Sequence, residues 1–466
     1  MVFSSASFLI FFLPCLLVLY FLVPRRCRYL RNLVLLAFSL AFYACGGPKF
    51  LLLMLLSIAI NYAGGLLAGP AHRPRTRRLG MTLAVVLGLA LLGWFKYAGF
   101  FGEMLHALLP VVPVPQVTLP IGISFFTFQG LSYVIDVYRG DAAVQRDPLK
   151  LALYIAFFPQ LVAGPIVRYT TVAEEIDERH ESVSEFSAGA VRFLFGLGKK
   201  MLLANAVARI ADAAFAAVMP SVLFAWLGAV AYTFQIYFDF SAYSDMAIGL
   251  GRMFGFHFLE NFNYPYVARS VTEFWRRWHI SLCTWFRDYV FFPLGGSRVK
   301  SKIRLLFNMF VVWSLTGLWH GAEWTYVLWG VGFFVVLSIE KLTGLGKWME
   351  KHAVGHLYAM FAVVVVTVLI RSESVAAAGD FYKTMFGLSG APLWNPLSGV
   401  FLREYGLFFA AAAVLSLPVG DWLRKKARVP AWLLEPAQGV LLLAVTAVAF
   451  TYVISGSYNP FIYFNF

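Results

Sequence analysis

Leu79-Gly-Met-Thr-Leu-Ala-Val-Val-Leu-Gly-Leu-Ala-Leu-Leu-Gly-Trp-Phe-Lys-Tyr-Ala-Gly-Phe-Phe101 is an apolar run entered directly from the basic stretch His72-Arg-Pro-Arg-Thr-Arg-Arg78. The run has the length of the ~20 residues that a helix needs to cross a bilayer. The rest of the chain repeats the pattern. It has 466 residues, of which 60% are hydrophobic, 17% aromatic and only 13% charged. A soluble domain carries about 25% charged residues. A chain this apolar cannot cover itself with polar surface, so a bilayer is its natural solvent.

Apolar runs recur at 8–23, 31–45, 50–68, 79–101, 117–137, 191–216, 221–240, 303–319, 322–340, 357–371, 402–417 and 432–454. Leu151–Ala163 and Phe381–Leu388 are too short to span and read as interfacial or re-entrant pieces. The first run lacks a basic leader and a small-residue cleavage site, so it reads as a retained span. The expectation is an all-α polytopic membrane protein of about 11–13 spans, with 1–466 forming one integral-membrane domain.

The net charge is +14. The excess sits in short clusters: Arg25–Arg31, His72–Arg78, Arg139 with Arg146 and Lys150, and Arg424, Lys425, Lys426 and Arg428. All four fall on one side if the spans alternate, and the positive-inside rule makes that side cytoplasmic. Twelve spans then place the C-terminus outside the cell. There is no basic soluble domain to hold a nucleic acid. The four cysteines, Cys15, Cys27, Cys45 and Cys283, have no metal-ligand spacing, so no metal is expected.

Between Ser241 and Arg304 the chain is rich in aromatics and arginines. A lipid-headgroup contact and a cytoplasmic mouth for an anionic donor explain this equally well. Among eight histidines, His72, His106, His180, His257, His352 and His356 have loop or interfacial explanations. His320 differs. It lies in Leu315-Thr-Gly-Leu-Trp-His-Gly-Ala-Glu-Trp324, between two apolar runs. An imidazole near membrane depth is a functional candidate and is suited to take a hydroxyl proton; a buried His donating to a carbonyl is the equal alternative. Gly317 and Gly321 allow close approach by a substrate chain or a helix.

His279 lies in a stretch where Trp275, Trp278, His279 and Leu282 share one face at helical spacing. An amphipathic interfacial helix is the favoured reading there. For Asp239 and Asp245, helix capping or pairing with nearby arginines is favoured over a polar lining. The end of the sequence, Ser455-Gly-Ser-Tyr-Asn-Pro-Phe-Ile-Tyr-Phe-Asn-Phe466, is too apolar to float, so it should dock as an aromatic anchor.

Further stretches carry a resemblance. They are Leu119-Pro-Ile-Gly-Ile-Ser-Phe-Phe-Thr-Phe-Gln129, Phe157-Phe-Pro-Gln-Leu-Val-Ala-Gly-Pro-Ile166, Phe238-Asp-Phe-Ser-Ala-Tyr-Ser-Asp245, Glu260-Asn-Phe-Asn-Tyr-Pro-Tyr266, Phe274-Trp-Arg-Arg-Trp-His279 and Leu318-Trp-His-Gly321. Together they resemble the membrane-bound O-acyltransferase (MBOAT) family over essentially the whole chain, in the branch of alginate and peptidoglycan O-acetyltransferase membrane subunits. Teichoic-acid D-alanyl transferase is similar more distantly.

The resemblance implies a ring of tilted helices around a thin centre pierced by a tunnel. It makes His320 the catalytic residue and His279 a second functional histidine toward the cytoplasm. It also implies that Tyr463 carries the acyl group. The donor would be a cytoplasmic acyl thioester, expected to be acetyl-coenzyme A, entering near Arg276 and Arg277, with no bound cofactor. The partner would be a periplasmic or surface acetyltransferase of the SGNH type, and the location a bacterial inner membrane. D-alanyl transfer to teichoic acid is the alternative within the family. A secondary transporter or flippase is the alternative class, disfavoured because no paired discontinuous segments stand in corresponding halves and the tryptophan-flanked His320 lacks the acidic partner expected of a proton relay.

Overall fold

The computed structural model describes residues 1–218, 220–425, 429–460 and 462, and its regular structure is helical throughout. Each of the twelve apolar runs coincides with a helical segment. Among the described residues, seven helices are long and apolar enough to cross a membrane: Pro48–Ala68, Pro74–Leu108, Val222–Met253, Trp324–Thr343, Val354–Arg371, Pro396–Leu415 and Trp432–Ile454. Of the other runs, some form shorter helices, such as Ser7–Leu22, some are interrupted by π-turns, as at Lys199–Ala204, and one forms the 19-residue but less apolar helix Lys302–His320. Helices dominate because hydrocarbon offers no partner to an open backbone group.

The chain divides into two compact units, Met1–Phe193 with Ser244–Leu259, and Leu194–Tyr243 with Glu260–Phe466. In the first unit, Leu151–Ala163 is buried almost throughout, as two short helices, so it is core rather than an interfacial piece. This unit also revises the reading of the first basic cluster. Arg28 and Arg31 are not loop charges only: they reach Glu181 at 2.5 and 3.0 Å, and Tyr20 donates its hydroxyl to the same carboxylate. Arg179 adds a third cation at 3.7 Å. His257 is exposed and bonded to Glu175 at 2.7 Å, so it is a carboxylate partner rather than a lipid contact.

Burial alone would raise the Glu181 pKa, but hydrogen bonds from Arg28 and Tyr20 outweigh it and hold the carboxyl at about 2, against an ordinary 4.5. The folded-state pKa is therefore depressed. Its stabilisation is complete above about pH 4.5 and is lost as pH falls toward 2. Glu181→Gln strands the cations and is expected to cost ~3 kcal/mol at pH 7. Thermal unfolding in detergent should show this loss at pH 7, shrinking toward zero at pH 2; an equal loss at both pH values would rule out the charge interaction.

The second unit carries the candidate site. The Lys302–His320 and Trp324–Thr343 helices form a tight hairpin. A Cβ on Gly317 would stand 2.5 Å from the Tyr326 carbonyl, and one on Gly321 2.2 Å from the Tyr326 ring. These glycines admit the neighbouring helix rather than a substrate chain. The Val222–Met253 helix continues past the expected end at 240. Asp239 and Asp245 therefore lie inside it and cap nothing. Asp239 pairs with Lys200 rather than an arginine, and Asp245 with Arg192, each within its own unit.

Candidate active site

His320 is the last residue of the Lys302–His320 helix and is buried. Its Nδ1 lies 2.7 Å from the Thr316 carbonyl one turn back. A carbonyl only accepts, so Nδ1 carries the proton, and in the neutral ring Nε2 carries the lone pair. The bond fixes tautomer and ring orientation together, as proton transfer requires. Trp319 and Trp329 flank the imidazole, with ring centroids at 5.0 and 4.8 Å.

His279 is where the structure departs most from the amphipathic-helix reading. The expected helix is broken: Val271–Arg277 and Ile280–Phe286 are separate, and His279 between them has φ +44. That left-handed backbone is uncommon for a residue with a Cβ and is held by the surroundings. The Asn261 carbonyl accepts from the Ile280 amide at 3.0 Å, and the Arg277 carbonyl accepts from the Asn263 amide at 2.9 Å. His279 is fully buried rather than interfacial.

The Asn261 side-chain oxygen accepts from the Ser281 amide, which identifies it as the oxygen, and it lies 3.1 Å from His279 Nδ1. Nδ1 therefore donates. His279 Nε2 is buried without a hydrogen-bond partner among the described residues. Burial first, and His320 after it, push the His279 pKa well below its ordinary value, so the ring is neutral. The two histidines share Trp319, whose ring lies 5.9 Å from His279.

His320 borders one cavity, and a second cavity shares Trp275 with it. His320, Trp275, Trp278, Trp329, Phe333 and Thr367 border a small one of about 20 Å³. One water needs roughly 10–15 Å³ on this measure, so the space suits a group of very few atoms. A larger cavity of about 470 Å³ is lined by Arg276, Arg287, Thr272, Cys283 and Thr316. Trp275 borders both. Thr316 thus lines the large cavity while its carbonyl holds His320.

Arg276 is two-thirds exposed on the large cavity. Arg277 turns instead to Glu273 at 2.9 Å and the Asn263 carbonyl at 3.1 Å, and does not line it. Sequence reasoning missed Arg287 as the second cation there, along with Trp275 and Asn261. It also missed Lys200, although a lysine inside an apolar run is itself a signal. Tyr463 lies outside the described residues.

The chain is multi-pass and helical, and it holds a fixed, buried histidine pair with His320 bordering a small cavity. The profile of MBOAT, the membrane-bound O-acyltransferase family, matches residues 141–367. The probable alginate O-acetylase AlgI of Pseudomonas syringae is 44% identical over 83% of this chain and 75% of its own. That of Pseudomonas putida is 40% identical over 100% of both chains. A peptidoglycan O-acetyltransferase of Helicobacter pylori is 30% identical over 100% of this chain and 98% of its own. The chain belongs to the membrane-bound O-acyltransferase family and is an O-acyltransferase.

Proposed function

We propose that this enzyme takes an acetyl group from a cytoplasmic thioester, acetyl-coenzyme A, and delivers it for O-acetylation of an extracytoplasmic polysaccharide of the alginate class. The carrying observation is His320: its Nδ1 is committed to the Thr316 carbonyl, and its ring borders a cavity of about 20 Å³. Similarity to alginate O-acetylases along the full chain supports the acceptor class.

In the first step the Tyr463 hydroxyl oxygen attacks the thioester carbonyl. His320 Nε2 takes the hydroxyl proton, the C–S bond breaks, and His320 returns the proton to the departing thiolate. Tyr463 then holds an aryl ester. A hydroxyl of an SGNH-type partner attacks that ester, and the phenol regains its proton. His279, whose Nε2 has no hydrogen-bond partner among the described residues and which lies across Trp319, is the second proton-handling group. Arg276 and Arg287 form the donor mouth and face the phosphates of coenzyme A. The basic clusters support a cytoplasmic mouth and an outer C-terminus. Only the small acyl group then needs to pass through the protein, since the charged coenzyme cannot enter hydrocarbon.

Vesicles holding acetyl-labelled coenzyme A inside, with partner and alginate oligosaccharide outside, test this reading. Label should reach the oligosaccharide while coenzyme A stays inside. Intact acetyl-coenzyme A outside would instead mean a transporter. In the same assay, removing both Arg276 and Arg287 charges should raise the donor KM about tenfold, an effect weakened by salt. The acceptor KM should not move. If the donor KM is unchanged, the mouth lies elsewhere.

A further inference from the structure

Lys200 and Asp239 form an ion pair at 2.6 Å with side chains 3% and 1% exposed. Lys200 stands in the π-helical turn Lys199–Ala204, and Asp239 in the Val222–Met253 helix. Single π-turns recur at functional positions. Desolvating two charges costs more than their attraction returns unless further hydrogen bonds satisfy the leftover protons and lone pairs.

Here the C-terminal segment supplies them. Lys200 Nζ donates to the Pro460 carbonyl, and the second carboxylate oxygen of Asp239 accepts the Ile462 amide at 3.0 Å. The contact has a direction: the 460 carbonyl faces the cation and the 462 N–H faces the anion. Neighbouring groups extend it. Asn205 donates to the Asn459 side-chain oxygen at 3.4 Å, and Tyr458 donates its hydroxyl to Asp212. Arg209 lies over the Tyr458 ring at 5.1 Å, and Arg371 holds Asp212 at 2.7 Å.

We propose that the Lys200–Asp239 pair is a latch that seats Pro460 and Ile462, which makes these two side chains positioning residues for acyl transfer. The catalytic consequence rests on the Tyr463 reading; the seating does not. The competing role is a buried ion pair that only stabilises the fold. Charge reversal separates the two. Lys200→Asp with Asp239→Lys restores a neutral pair, but it turns a carboxylate toward the Pro460 carbonyl and an ammonium toward the Ile462 N–H. A structural pair tolerates that exchange, whereas a latch does not.

The full-length enzyme in detergent is treated with a non-specific carboxypeptidase, and release of residues 458–462 is followed by mass spectrometry. Acetyl transfer and donor KM are measured alongside. Lys200→Met and Asp239→Asn should each release the segment at least ~10-fold faster, because the local opening equilibrium shifts. Transfer to the acceptor should fall in parallel while donor KM stays unchanged. The reversed pair should regain thermal stability but neither protease resistance nor transfer.

Recovery of both resistance and transfer by the reversed pair would overturn the latch. If the reversed pair does not fold, Asp239→Asn decides, and parental release rates for it overturn the latch equally. A fully active Tyr463→Phe with fast-release latch variants would sink the relay and leave the latch standing.

Discussion

His320→Ala is expected to fold, insert and lose acetyl transfer by at least about 10²-fold, the lower bound for a positioned general base. The argument is geometric. Nδ1 is occupied by the Thr316 carbonyl at 2.7 Å, so the proton can be taken at only one ring position. The His320 ring borders the small cavity, where Trp275, Trp329 and Phe333 leave space for a group of very few atoms. Removing the imidazole takes away the base without touching a charge pair, so stability should fall by no more than a core truncation does. Initial rates at matched amounts of inserted protein, with melting temperatures alongside, give the comparison. A well-folded variant turning over near the parental rate would remove His320 from the chemistry.

The membrane character of the chain was legible because hydrocarbon leaves the backbone one local solution, and apolar runs report it directly. All twelve runs became helical for that reason. Breaks inside helices were not legible. The periodicity of Trp275, Trp278, His279 and Leu282 fits an unbroken helix. The break at His279 comes from Asn261 and Asn263, whose backbone bonds to Ile280 and Arg277 replace helical ones. Pattern within one segment cannot reveal a competitor from another.

The same limit hid the partners of Arg28 and Arg31. Their clustering carries a topological signal, while Glu181 lies about 150 positions along the chain. His320 was legible as a candidate because a titratable ring between two apolar runs demands an explanation. Its tautomer was not, since the Thr316 carbonyl bond becomes visible only once the helix is seen to run through to residue 320. Arg276 was legible as a cation near the site. The choice between Arg276 and Arg277 depended on Glu273, one turn back on the same helix, which claims Arg277.

Tyr463→Phe is expected to reduce polymer O-acetylation to background while leaving the protein folded. The substitution keeps an apolar ring and removes only the nucleophile, so a tail that merely anchors the chain should tolerate it. Tyr463 directly follows Ile462, whose amide is held by Asp239 at 3.0 Å. Pro460 and Ile462 line a cavity of about 480 Å³ together with Asp212, Gln235, Arg371 and Glu323, and Glu323 is three residues beyond His320.

The energetics favour a relay. A phenol has a pKa of about 10 and leaves more readily than an aliphatic alcohol. An aryl ester therefore stays more reactive than an alkyl ester, and onward transfer to an aliphatic hydroxyl is favourable. The parental enzyme, incubated with donor and no partner, should accumulate acetyl on its C-terminal peptide, visible as a mass increase that His320→Ala and Tyr463→Phe both lack. Chemical assay of O-acetyl groups on the secreted polymer gives the second readout. Parental levels of polymer acetylation with Tyr463→Phe would mean that the partner's hydroxyl enters and attacks the thioester directly, with the tail serving as an anchor.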